Sequence, residues 1–66
     1  MREELVKVFG ENALTPYKFD ECSWAVSNRD KVWRVTYKDN SYSASRHKIN
    51  IIANSLEALK TKIDLL

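Results

Sequence analysis

The chain is short of the residues from which most sites are built: its 66 residues include one glycine (Gly10), one proline (Pro16), one cysteine (Cys22) and one histidine (His47). A single glycine excludes a glycine-rich phosphate cradle. A single histidine leaves the paired ligands of a metal centre, or a nucleophile with its base, without the partners they need. A lone cysteine closes no intramolecular disulfide, and Met1 leads directly into the charged Arg2-Glu3-Glu4 with no signal peptide, so a reducing cytoplasm is the expected compartment. No apolar run approaches the roughly 20 residues that span a bilayer, and no membrane partner is expected.

The remaining acids and nucleophiles do not assemble on paper either. Asp20-Glu21 and Glu3-Glu4 are adjacent pairs. Adjacent residues on a strand point to opposite faces, so Asp20 and Glu21 do not readily share a proton or a metal. Cys22 falls on the inward face of a strand and reads as a small core residue; His47 reads as an exposed residue at the start of a helix. No catalytic residue, metal or cofactor is expected, and the protein is not expected to be an enzyme.

What the chain has is alternation. Cys22, Trp24 and Val26 alternate with polar residues, and Trp33, Val35 and Tyr37 repeat the pattern, as strands with one buried face do. With Arg29-Asp30 at the centre of a turn, Val26 meets Trp33, Trp24 meets Val35 and Cys22 meets Tyr37; a one-residue slip destroys the match. Asp39-Asn40, two residues that tolerate positive φ, then sets Tyr37 opposite Tyr42 and Val35 opposite Ala44. Both tryptophans fall on the covered face, as core and not as stacking platforms for bases; Tyr17 and Tyr42 lie nearer the edges, as candidate exposed aromatics. The other face carries Ser23, Ala25, Arg34, Thr36, Lys38, Ser41, Ser43 and Ser45.

The flanks read as helices. Leu5, Val8 and Phe9 share one helical face, acids occupy the first turn and Gly10 ends the helix. After Arg46 two readings compete. In one, the strand runs on through Ile49-Asn50-Ile51-Ile52 and a helix starts at Asn54, with an Asn-x-x-Glu capping box to Glu57. In the other, a single helix begins near 46: Ile49, Ile52, Leu56, Leu59, Ile63 and Leu66 follow a heptad seam, with Ile51 and Leu65 outside it. Continuing the strand turns Ile49 and Ile51 toward solvent unless a bulge intervenes, so the long helix is preferred. It would overhang the sheet, and its end would be covered by the first helix or by a second copy of the chain.

The expected architecture is therefore one α+β domain over 1–66 in the order α-β-β-β-α. It has helices over about 2–10 and 46–66, and a three-stranded antiparallel meander over about 18–27, 31–38 and 41–46. This order is similar to that of double-stranded RNA-binding domains. Its last four elements resemble the sheet-plus-helix domains with which some phage-type integrases read DNA. The likeness is one of topology and rests on no motif.

Charge gives the functional expectation. Residues 29–48 hold six bases against two acids, while 1–28 hold three against five and 49–66 hold two against two. The candidate nucleic-acid-binding residues are Arg29, Lys31, Arg34, Thr36, Lys38, Ser43, Arg46 and Lys48, a basic and hydroxyl-rich face suited to phosphates. The expected function is a non-catalytic nucleic-acid-binding accessory protein. The alternative is a small protein-binding inhibitor or adaptor of phage or mobile-element type, as a monomer or homodimer.

Overall fold

Alternation and turn chemistry together build most of the molecule. The computed structural model describes residues 2–66, the side chains of 15–19 excepted. Helix α1 (Arg2–Phe9) is followed by a 3-10 turn (Glu11–Ala13), strands β1 (Leu14–Asp20), β2 (Ser23–Asn28), β3 (Lys31–Lys38), β4 (Ser41–Arg46) and β5 (Ile49–Ala53), and helix α2 (Leu56–Asp64). The domain is α+β, and the five strands form one antiparallel sheet in the order β1-β2-β3-β4-β5.

The central register is the expected one. Trp24 pairs with Val35 and Val26 with Trp33, and the Tyr37 N–H donates to the Cys22 carbonyl at 3.0 Å. Tyr37 pairs with Tyr42 and Val35 with Ala44. Both turns use paired positive φ angles, at Arg29 and Asp30 and again at Asp39 and Asn40, the twist that two-residue hairpins require. Gly10, at φ 102, ends α1, and its N–H donates to the Val6 carbonyl at 2.8 Å.

Both ends of the expected meander need correction. The first strand is two strands. The chain reverses at Glu21–Cys22, and β1 pairs with β2 through two register irregularities, which twist a strand and spoil simple alternation. The long helix over 46–66 does not form. A third two-residue turn at His47-Lys48 reverses the chain, so β5 pairs Arg46 with Ile49, Ala44 with Ile51 and Tyr42 with Ala53. A hairpin restores the parity that a straight strand would break: Ile51 shares the inner face with Ala44, and no bulge is needed. Ile52 falls opposite Ser43 on the outer face and is 58% exposed. The order is thus α, five strands, α, which departs from both topological likenesses.

Helix α2 starts at Leu56. Ser55, not Asn54, is its N-cap, with the hydroxyl accepting from the Ala58 N–H at 3.1 Å, and Glu57 takes no part in that cap bond. The part of the seam that lies within α2, Leu56, Leu59 and Ile63, is buried as a helical stripe should be. Leu5 of α1 and these three residues cover Val26, Trp33, Val35, Ala44 and Ala53 in one core, against which Val8, Phe9, Trp24, Tyr42 and Ile51 also pack. Leu66 is exposed and needs no lid.

Candidate functional site

Strand pairing determines which candidate side chains meet. On the outer face, Ala25, Arg34, Ser45 and Asn50 form one row across the sheet, and Ser23, Thr36, Ser43 and Ile52 form the next. Lys38 pairs with Ser41 at one margin. Arg34, Thr36, Lys38 and Ser43 are therefore brought together on one face as the alternation implies.

The chemistry of that face is less open than its composition. Arg34 Nη2 lies 3.1 Å from Asp20 Oδ2, an ion pair that is half-exposed. The Ser23 and Thr36 hydroxyls share a hydrogen bond at 2.9 Å, and Ser23 and Ala25, expected on an exposed face, are buried. Asp20 also accepts from the Cys22 N–H at 2.8 Å, and this bond is the main reason its carboxyl sits below the usual carboxylate range. Much of the hydroxyl and cationic capacity near β2 is thus turned inward.

Cys22 is exposed at the β1–β2 turn and is not a core residue, although its carbonyl keeps the expected pairing with the Tyr37 N–H. His47 is exposed as expected, but on the β4–β5 turn at φ 54 and not at a helix start. Tyr42 is half-buried on the inner face, its ring tilted at 43° against that of Tyr37 with centroids 4.7 Å apart, and the side chain of Tyr17 lies outside the described residues.

The other four candidates gather at one end of the sheet. The β2–β3 and β4–β5 turns lie at the same end, because the β3–β4 turn closes the opposite one. Lys31 opens β3 beside the β2–β3 turn, and Arg46 and Lys48 flank His47 at the β4–β5 turn. Arg29, Lys31, Arg46 and Lys48 therefore share this end with one turn acid, Asp30. Arg29 Nη1 donates to the Asp64 carbonyl at 3.3 Å, satisfying the C-terminal end of α2. Among the described residues Lys31, Arg46 and Lys48 pair with no acid.

The last turn of α2 closes this end. The Asp64 carboxylate accepts from Lys60 Nζ at 2.8 Å and from Asn28 Nδ2 at 2.9 Å, and Lys60 is the principal reason its carboxyl is held below the usual range. A hollow of about 350 Å³ beside it is lined by Asn28, Arg29, Lys31, Trp33 and Asp64. The Trp33 indole nitrogen is buried and meets no acceptor among the described residues.

No cluster of three or more histidine, cysteine, aspartate or glutamate side chains suited to a metal ion occurs among the described residues. No described helix is long and apolar enough to cross a membrane. A hollow of about 800 Å³ between α1 and α2 is lined by Glu4, Lys7, Glu57 and Lys60 among others, mixed charges with no nucleophile held by a base. Neither a family model, a curated protein nor a solved structure matches this chain.

Proposed function

We propose that the protein is a non-catalytic nucleic-acid-binding factor that engages the phosphate backbone with the end of its sheet where the two hairpin tips meet, and with the adjoining outer face. The observation that carries this reading is that Lys31, Arg46 and Lys48 share one end of the sheet without an acid partner among the described residues. Cations that are not spent on internal pairs release counterions from a polyanion when they bind it. The proposed interface therefore moves from the centre of the face, where Arg34 is engaged by Asp20, to Arg29, Lys31, Arg46 and Lys48, with Lys38, Thr36 and Ser43 as outlying contacts. Few base-reading side chains stand at this end, so backbone binding with weak sequence preference is expected.

The test is fluorescence anisotropy with random duplex DNA, single-stranded DNA and duplex RNA at low and near-physiological salt. Binding should weaken steeply with salt. Lys31→Glu with Lys48→Glu should abolish it while far-ultraviolet circular dichroism is unchanged, and Lys38→Glu should weaken it less. Absence of binding at low salt, or full binding by the double variant, removes the proposal.

A further inference from the structure

The sheet ends at β5, and this edge is not protected as sheet edges usually are. The strand reads Ile49-Asn50-Ile51-Ile52-Ala53, with no charge, proline or bulge to discourage pairing. In a two-residue hairpin the closing pair exchanges both hydrogen bonds and the pairs then alternate. Arg46–Ile49, Ala44–Ile51 and Tyr42–Ala53 thus use the β4 side of the ladder, and Asn50 and Ile52 turn their backbone groups outward. One contact bears this out. Lys62 Nζ of α2 reaches across to the Ile52 carbonyl at 2.8 Å, a place that a donor from a strand added at this edge would otherwise hold.

The apolar surface follows the same edge. Of the six large hydrophobic side chains that stand exposed among the described residues, two belong to β5, Ile49 at 40% and Ile52 at 58%, and Leu65, at 81%, lies at the end of α2. Ala58, Lys62 and Leu65 share a helical face by their spacing, and the Lys62 contact turns that face toward β5. A strand laid along β5 would meet Ile52 on its outer side and the stripe of Ala58, Lys62 and Leu65 on its inner side. At one end of the edge stands Lys48 and toward the other Lys62, while β5 itself brings no acid.

We propose that β5 takes an extended segment of a partner protein, alternating acidic and apolar residues, as a sixth strand. Backbone groups of Asn50 and Ile52 supply the ladder, and the exposed isoleucines and Leu65 supply apolar contact. Lys62 acts as a plug in the free protein. An incoming N–H replaces it on the Ile52 carbonyl, and the released ammonium meets an acid of the segment. Charge decides against a second copy as the occupant: antiparallel pairing of two β5 strands about Ile51 places each Ile52 beside the other chain's Asn50, which brings the two Lys62 amines to one seam.

The experiment uses the whole chain, a labelled eight-residue peptide alternating valine with glutamate, the same peptide N-methylated at alternate amides, and octaglutamate. Anisotropy should show binding of the first peptide that falls at least tenfold on N-methylation, and at least tenfold with Lys62→Glu. Hydrogen exchange followed by NMR should slow at the Asn50 and Ile52 amides only when the first peptide is present. The NMR spectrum of each variant establishes that it is folded. Equal binding of octaglutamate, no binding up to millimolar peptide, or protection of these amides in the free protein that rises with its own concentration would each overturn the proposal. Slowing of the same amides by duplex DNA would overturn it as well.

Discussion

Asn28 at the end of β2 donates its side-chain amide to the carboxylate of Asp64 at 2.9 Å, joining the first regular hairpin to the last turn of the chain 36 residues later. The bond fixes how α2 lies on the sheet near the basic end. Truncating Asp64 also releases Lys60. Asp64→Ala is expected to cost about 1 kcal/mol, since the pair is only partly buried and solvent screens it. Urea denaturation checks this, and Asn28→Ala in the Asp64→Ala background should cost almost nothing further if the two act as a unit.

The same carboxylate gives a pH dependence. The folded-state pKa values of Asp64 and Asp20 are lowered, Asp64 chiefly by Lys60 and Asp20 chiefly by the Cys22 N–H. A lowered carboxyl binds fewer protons in the folded state than in the unfolded one, so its contribution is complete above the unfolded value of about 3.9 and is lost as pH falls through the folded value. Stability should therefore decline on acidification below about pH 4, and Asp64→Asn should show a shallower decline in urea midpoints over that range.

Leu59 has no exposed surface and lies between both helices and the sheet in a core of small membership. Leu59→Ala should cost about 3 kcal/mol. A domain of this size has a total stability of roughly 3–10 kcal/mol, so the variant should unfold at much lower urea or populate the unfolded state outright. Ser55→Ala, which removes only the cap of α2, should cost about 1 kcal/mol with the core left intact.

Asp30 sits at φ 66 in the β2–β3 turn, beside Arg29 at φ 53. Glycine reaches this region without a Cβ clash, so Asp30→Gly should raise stability by roughly 0.5 kcal/mol, a few degrees in the thermal midpoint. Asp30→Val, with a branched Cβ in the same conformation, should lower it by about 1 kcal/mol or more. Thermal scans distinguish the two directions.

The legible parts of the fold were those where two independent signals agreed. Trp24 and Val26 could face Val35 and Trp33 in only one register, and Asp39-Asn40 is strong turn chemistry. The basic candidates of the outer face followed from that register. His47-Lys48 offers no such signal: neither residue is a habitual turn former, yet the chain turns there with His47 at φ 54. Ile49 and Ile52 happen to be in phase with Leu56, Leu59 and Ile63, so a strand and a helix read as one helix. Parity should have raised the hairpin as a third possibility, because a two-residue turn places odd-numbered residues of β5 on the face that even-numbered residues of β4 occupy. Without β5 in view, neither the sharing of one end by the two basic tips nor the unprotected edge was visible. At the other margin, the irregular β1–β2 pairing hid the turn at Glu21–Cys22 inside an alternating run.

Each strand of the sheet pairs with its neighbour in sequence, and the three regular hairpins close over two residues. Such a chain brings few distant segments together before it begins to gain contacts, so the loop-closure entropy that slows most β-rich domains is small here. Refolding can proceed by successive zipping of hairpins, with only the docking of α1 against α2 requiring the two termini to meet. The protein should regain its sheet on a millisecond timescale or faster, leaving β5 little time as an unguarded edge in a half-formed chain.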